Sequence, residues 1–216
     1  AEVCLSRDEK ELGVFLIDIG GGTTEIALFK EGGLQDLAVL PVGGDHITND
    51  LAVGLKVTFQ TAEDIKLSHG SALSKLTNPE SFVEVKGISG KETKRISEEE
   101  LNRYIEPRVE EMLQLALLEM EKTGYVQMPP AGIVLTGGVS LMRGVMEMAE
   151  NIFGCSVRVA TPQYLGVKSP IYSTAVGILQ YVYRNNMASL QERSDSKVGL
   201  SGLWYRLRKW FSELWE

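Results

Sequence analysis

The sequence is poor in the residues that build disulfide or metal frameworks. Its 216 residues include only two cysteines, Cys4 and Cys155, and two histidines, His46 and His69. The cysteines lie far apart and indicate no disulfide framework, which fits a reducing cytoplasm. No metal-ligand spacing surrounds the histidines. No apolar run is long enough to cross a bilayer as a helix, so the sequence predicts no membrane-spanning segment.

A surplus of basic residues is also missing. The chain carries 22 Lys and Arg against 29 Asp and Glu, a net charge of −7. Nucleic-acid-binding domains usually carry a basic surplus, so we expect no nucleic-acid partner. Hydrophobic residues make up 44% and charged residues 24%, the balance of an ordinary globular protein.

Glycine is plentiful, and its first cluster lies in a turn between apolar stretches. Residues 13–19, 25–29 and 37–40 each predict a strand, so the three form an antiparallel meander. The first turn, from Asp18 to Thr24 (DIGGGTT), offers backbone N–H groups and threonine hydroxyls to a phosphate. Rossmann and P-loop motifs run into a helix, and this turn runs into a strand. A phosphate clamp and a plain hairpin remain, and the turn alone favours the hairpin.

Two further segments have the same ambiguity. Residues 136–140 (TGGVS) follow a predicted strand and precede a predicted helix, where a flat ring could lie against bare backbone. Taken alone, they favour an ordinary strand-to-helix turn. Glu63 and Lys66 lie three residues apart on one face of a predicted short helix. Taken alone, they favour a surface ion pair.

Helix signals are clearest in the second half. Ser97 and the three acids after it predict the start of a long helix that ends at Gly124, with Pro107 expected to kink or divide it. Further helices are predicted over residues 46–55, with Asp45 as the N-cap, and over residues 174–183. Residues 184–199 are polar and predict a linker.

The order and spacing of the three glycine and ion-pair segments resemble the actin-like ATPase superfamily, and within it the FtsA family of bacterial cell-division proteins. Residues 18–24 resemble its second phosphate motif and residues 136–140 its adenosine motif. Residues 61–66 (TAEDIK) resemble the helix whose Glu and Lys reach the ribose and base. Residues 42–50 and 104–108 are closer to FtsA than to actin or the heat-shock chaperones.

The resemblance has departures as well as implications. Glu25 stands where the family usually has Asp, and Val139 replaces a third glycine of many relatives. The family's first phosphate motif and amino-terminal lobe would precede Ala1. The resemblance therefore implies a carboxy-terminal half that supplies one wall of an ATP cleft.

The implied fold is an α/β, actin-like (ribonuclease H-like) lobe with an inserted α/β subdomain. We expect residues 12–44 and 98–183 to form a discontinuous core and residues 45–97 to form the insert. Residues 184–199 would be a flexible linker, followed by a carboxy-terminal amphipathic helix over residues 200–216.

The implied cofactor is ATP with Mg²⁺, and no protein side chain is implied as a metal ligand. Asp18 would act as the catalytic residue by positioning a metal-bound water. This half-chain is not expected to hydrolyse ATP alone, and whether the whole protein does is open. The implied nucleotide-binding residues are Gly20, Gly21, Gly22, Thr23, Thr24, Glu63, Lys66, Gly137 and Gly138.

Basic residues gather around the start of the long helix. Lys94 and Arg95 precede it, and Arg108 lies within it. Charge patterning alone favours a solvated face. The resemblance implies that these residues receive the acidic carboxy-terminal peptide of FtsZ, a tubulin-like protein. It also implies self-association into actin-like filaments.

The last segment, from Leu200 to Glu216, is amphipathic and contains all three tryptophans. As a helix it would place its apolar residues on one arc of roughly 140°. It is too short to span a bilayer, and its Trp-rich face with basic flanks suits the headgroup boundary. The alternative is a terminal helix docked on the protein's own core. The predicted membrane contacts are Leu203, Trp204, Arg206, Leu207, Arg208, Trp210, Phe211, Leu214 and Trp215.

These inferences combine into one leading hypothesis. It is a cell-division adaptor that binds ATP and tethers FtsZ filaments to the cytoplasmic face of the membrane at the division site. One alternative is an actin-like ATPase with a chaperone-like cycle. Another is an actin-like component of a pilus or secretion machine, against which the amphipathic tail argues.

Overall fold

The computed structural model describes residues 1–87, 93–124 and 128–197, and its centre is a mixed five-stranded sheet. With strands numbered in chain order, the sheet runs β3-β2-β1-β6-β7. Its strands are β1 (Val14–Ile19), β2 (Thr24–Lys30), β3 (Gly33–Leu40), β6 (Ile133–Thr136) and β7 (Val157–Val159).

The sheet topology brings the two glycine turns to one edge. β1 pairs antiparallel with β2, and β2 with β3, which confirms the predicted meander. β6 pairs parallel with β1, and Asp18 lies opposite Thr136. Because parallel strands end at the same edge, the turn after β1 and the turn after β6 lie side by side.

The helices are α1 (Arg7–Leu12), α2 (Gly44–Leu55), α3 (Phe59–His69), α4 (Glu98–Lys122), α5 (Val145–Phe153) and α6 (Ser173–Lys197). α4 packs against β2 and β3, α1 against β2, and α5 against β7. A helix from Ser97 is confirmed, since the Ser97 hydroxyl accepts from the Glu100 N–H at 3.1 Å. The prediction of Asp45 as an N-cap is wrong, because the helix starts at Gly44 with Gly43 as its cap.

α4 is the helix that fills the main core. It remains one continuous helix through Pro107, so the predicted division there is wrong. Apolar side chains before and after the proline, such as Ile105 and Val109, are fully buried, and their packing stabilises the helix on both sides of Pro107. They share a core with the inner side chains of β1 and β2, including Ile17 and Ile26.

A small second sheet lies between α3 and α4. It pairs β4 (Phe82–Lys86) antiparallel with β5 (Thr93–Ser97). α2 packs against both α3 and α4, so its two sides face different parts of the molecule. α2, α3, β4 and β5 thus occupy the predicted insert, residues 45–97, apart from the first residue of α2.

α6 is longer than the sequence suggested. It continues to Lys197, so the predicted linker is wrong for residues 184–197. The segment is polar but contains no glycine or proline, and polarity alone does not break a helix. The predicted amphipathic tail over residues 200–216 lies outside the described residues. Within the described ranges, no helix is both long and apolar enough to cross a membrane.

Candidate functional site

A cleft of about 430 Å³ opens where the two glycine turns meet α2 and α3. Five of the residues predicted from sequence line it, and they come from three separate stretches of the chain: Gly20, Gly21, Glu63, Lys66 and Gly138. The other lining residues are Gly44, Asp45, Leu67, Ser68, Gly70, Val139, Leu141, Met142, Arg143 and Ile171.

Backbone hydrogen bonds fix the glycine turn against the start of α2. The N–H groups of Gly44 and Asp45 donate to the carbonyls of Gly20 and Gly21, at 2.9 and 2.8 Å. A side chain on Gly43 would bring its Cβ within 2.4 Å of the Gly21 oxygen. The close approach therefore requires glycine at that position, and it holds the turn rigidly at the mouth of the cleft.

The two threonines of the turn do not line the cleft. Thr24 is fully buried, and its hydroxyl donates to the Val42 carbonyl at 2.8 Å. The Thr23 hydroxyl donates to Glu25 at 2.8 Å. Gly22 also lies outside the lining, and a Cβ added there would meet no atom within 4 Å. In this structure Thr24 anchors the turn to the sheet, while Gly20 and Gly21 face the cleft.

Lys66 is buried and pairs with a half-buried Glu63, so the surface ion-pair alternative is wrong. Lys66 is only 8% exposed. Its ammonium lies 2.6 Å from Glu63 Oε2 and donates to the Thr48 hydroxyl at 2.8 Å and the Gly44 carbonyl at 3.1 Å. Three partners compensate the charge for its loss of water. The pair joins α3 to α2, and Glu63 remains partly exposed to the cleft.

Asp18 lies beside the cleft and not among its lining residues. Its Oδ2 accepts from the Thr174 hydroxyl at 2.9 Å, at the start of α6. Gly137 has a φ of +87°, and a Cβ there would come within 2.5 Å of Asp18 Oδ1. Burial raises the pKa of Asp18, the bond from Thr174 lowers it, and the charge of Glu25 raises it. The carboxylate is thus held between the turn after β6 and the start of α6.

Sequence reasoning missed Thr174 and Glu98, whose partners are remote in the chain. Thr174 and Asp18 are 156 positions apart. Glu98 was recognised only as an acid in the first turn of α4. It is 7% exposed and accepts from the Asn78 N–H at 3.1 Å and the Ser81 hydroxyl at 2.9 Å. The bond from Asn78 lowers the pKa of Glu98, with burial acting in the opposite direction.

Arg143 connects Glu98 to the cleft. Arg143 lines the cleft, and its Nη2 donates to the His69 carbonyl at 3.2 Å and to Glu98 Oε2 at 3.5 Å. His69 Nδ1 lies 3.7 Å from Glu98 Oε1. Glu98 therefore joins the end of α3, the loop before β4 and the cleft wall.

The predicted basic residues do not form one group of free cations. Arg108 Nε bonds Asp50 at 2.7 Å and its Nη1 bonds Glu111 at 2.5 Å. The bond to Asp50 raises the pKa of Arg108. Lys94 donates to the Leu55 carbonyl at 3.3 Å, and the Arg95 guanidinium lies 4.1 Å from the centre of the Phe82 ring.

Arg108 lines a second concavity, on the other side of α2. This groove has a volume of about 470 Å³ and lies between α2 and α4. Gly54 lets the helices approach, since a Cβ there would lie 2.3 Å from Tyr104 Cε1. Lys94 and Arg95 are not among its lining residues, which are Asn49, Asp50, Val53, Gly54, Arg103, Tyr104, Pro107, Arg108 and Glu111.

The architecture is that of the actin-like proteins. A crystal structure of MreB5 of Spiroplasma citri bound to AMPPNP aligns with a TM-score of 0.65 and 22% identity, covering 83% of this chain and 56% of that chain. A non-polymerising mutant of MamK bound to AMPPNP aligns with a TM-score of 0.55 and 18% identity, covering 81% and 55%. These likenesses define the class as an actin-like α/β fold.

Sequence comparisons define the family. The family model described as "Cell division protein FtsA" matches residues 15–177. Cell division protein FtsA of Pseudomonas aeruginosa is 41% identical over 223 residues, covering 95% of this chain and 52% of the relative. The Bacillus subtilis protein of that name is 42% identical over 195 residues, covering 90% and 43%. The chain belongs to the FtsA family, and it spans about half the length of these relatives.

Proposed function

We propose that this chain acts in an ATP-binding adaptor that tethers FtsZ filaments to the cytoplasmic face of the membrane during division. Membership of the FtsA family supports the role in cell division. The observation that carries the nucleotide part is the convergence of Gly20, Gly21, Glu63, Lys66 and Gly138 on one cleft. Such a convergence of separate segments on one cleft is typical of a ligand-binding site.

The volume of the cleft suits a nucleotide, and so does the order of its lining residues from one end to the other. Its volume of about 430 Å³ lies within the usual range of small-molecule sites. We assign the phosphates to the Gly20–Gly21 end, the ribose to Glu63, and the base to the floor at Gly138. Magnesium usually binds phosphates and keeps several waters, and we propose that Asp18, which lies beside the cleft, orients such a water.

A titration of the 216-residue chain with MgATP tests the nucleotide assignment. We expect weak binding and negligible hydrolysis, because the phosphates need donors from a second lobe that also excludes water. Gly138→Val should weaken binding further by filling the floor of the cleft, while Gly33→Ala on β3 serves as the matched control. Tight, magnesium-dependent binding by this chain, or equal effects of the two variants, would contradict the assignment.

The groove between α2 and α4 supports the second part of the proposal. Arg103, Tyr104 and Arg108 line it, an aromatic ring between two cations. Such a combination suits an acidic peptide, and we assign it to the carboxy-terminal peptide of FtsZ, with Lys94 and Arg95 contributing nearby. Since Arg108 already holds Asp50 and Glu111, a peptide carboxylate must compete with these two acids.

The tail carries the membrane part of the proposal. Its support is the apolar arc of residues 200–216 with basic residues at the flanks. A helix this short is marginal in water and should fold as it binds a bilayer. Trp210→Glu should abolish sedimentation with anionic liposomes, whereas Lys209→Gln should only weaken it. If Trp210→Glu sediments like the parent, the docked-helix alternative replaces the anchor. We also propose self-association into actin-like filaments.

A further inference from the structure

We propose that Arg143 is a specificity-determining residue at the base end of the cleft, and that Glu98 is the positioning residue that holds it there. The proposal rests on the nucleotide-binding function proposed above. It assigns a role to two side chains that no motif of the sequence marked. Arg143 would contact the base, and Glu98 would act only through Arg143.

The contacts of Arg143 leave most of its guanidinium available. Its side chain is 50% exposed and lines the cleft. Among the described residues, both of its acceptors, the His69 carbonyl and the Glu98 carboxylate, are reached through Nη2. Nη1, Nε and the flat face of the group can therefore meet a ligand.

The backbone of Arg143 is fixed, so the direction of its side chain depends on its partners. The Ala72 N–H donates to the Arg143 carbonyl at 2.7 Å. Gly144 follows with a φ of +83°, and a Cβ there would lie 3.0 Å from Leu76. With the main chain held, the His69 carbonyl and the Glu98 carboxylate set where the guanidinium points, and Glu98 is the charged partner of the two.

Glu98 is itself held firmly. It is buried, and the Asn78 N–H and Ser81 hydroxyl donate to it from the loop before β4. Hydrogen bonds to an ionised carboxylate are stronger than neutral ones, and here they are shielded from water. Glu98 is therefore a fixed anchor toward which Arg143 is drawn.

Neighbouring contacts place Arg143 at the end of the cleft opposite the phosphate turn. The Gly20–Gly21 turn bonds the start of α2, beside Val139. At the other end, a Cβ on Gly70 would lie 3.4 Å from Met142 Cε, next to Arg143. A guanidinium face beside apolar side chains suits a flat aromatic ring. A purine extends further along the cleft than a pyrimidine and would reach it.

The test compares ATP and CTP binding to the 216-residue chain by NMR titration. Arg143→Ala should weaken ATP binding by about threefold to tenfold and CTP binding by less than about twofold. Glu98→Gln should lower the ATP-to-CTP affinity ratio in the same direction. Adding Glu98→Gln to Arg143→Ala should change the ratio no further, because one residue acts through the other.

Arg184→Ala is the matched control, since it removes an arginine that pairs with Glu2 and does not line the cleft. It should leave the ATP-to-CTP affinity ratio unchanged. An unchanged ratio in Arg143→Ala would overturn the inference, an unchanged ratio in Glu98→Gln would overturn the positioning role, and a change in Arg184→Ala as large as that in Arg143→Ala would show that the effect is not specific to the site. No measurable binding of either nucleotide to the parent would overturn the proposed function itself.

Discussion

The two sides of α2 use cations in different ways. On the cleft side, Lys66 is 8% exposed and its three partners all belong to the protein. On the groove side, the Arg108 side chain is 28% exposed, and its acids, Asp50 and Glu111, line the groove with it and are partly exposed. A buried cation with a full set of partners fixes architecture, whereas a cation paired at an open surface can exchange partners. The family resemblance had implied ligand binding for both.

The largest effect should come from removing the buried cation. Lys66→Met removes the ammonium that the Glu63 carboxylate and the Gly44 carbonyl share and leaves one Thr48 hydroxyl to serve both, so it should cost about 3–5 kcal/mol of unfolding free energy. Urea denaturation measures this. Lys75→Met, which removes an exposed pair with Glu147, is the control and should change stability by less than about 1 kcal/mol. Similar losses in both variants would show that Lys66 is not an architectural cation.

A smaller effect is expected at the cleft wall, with a defined pH dependence. The folded-state pKa of Glu98 is lowered from its ordinary value of 4.5. Its ionised form therefore stabilises the fold above that value, and this contribution is lost as the pH falls through the lowered pKa. Glu98→Gln should cost about 1–3 kcal/mol at pH 7 and progressively less below pH 4.5. A constant stability difference across this range would contradict the assignment.

On the groove side, charge reversal should affect binding more than stability. A variant with both Lys94→Glu and Arg108→Glu should lose about 1–3 kcal/mol of affinity for the FtsZ carboxy-terminal peptide, measured by calorimetry. Lys122→Glu near the end of α4, where the side chain is exposed, is the control and should bind like the parent. Unchanged peptide binding in the double variant would show that Lys94 and Arg108 do not bind the peptide.

The smallest effect concerns Asp18. The hydrogen bond from Thr174 lowers the pKa of Asp18, so Thr174→Val should raise that pKa further, while Thr174→Ser should preserve it. Carbon-detected NMR titration of the Asp18 carboxyl group reads this directly. If the Asp18 pKa is the same in Thr174→Val and Thr174→Ser, the hydrogen bond from Thr174 to Asp18 is not formed in solution.

Structural features that depend on residues close together in the sequence could be predicted. The meander followed from short apolar stretches between glycine turns, and the start of α4 followed from Ser97 and the acids after it. The segments that line the cleft could also be predicted, but through family resemblance. Taken alone, each glycine turn favoured an ordinary turn. The linker prediction failed because residues 184–197 are polar without any helix-breaking residue.

The sequence by itself determined the local conformations, because hydrophobic periodicity, helix caps and glycine act over a few residues. Only the tertiary structure decided which side chains meet. Thr174 reaches Asp18 across 156 positions, and Arg143 reaches Glu98 across 45. Such contacts depend on how whole strands and helices pack, and no short pattern encodes that packing. Tertiary packing also decided that Lys66 is buried and Arg108 partly exposed, because α2 packs against α3 on one side and against α4 on the other.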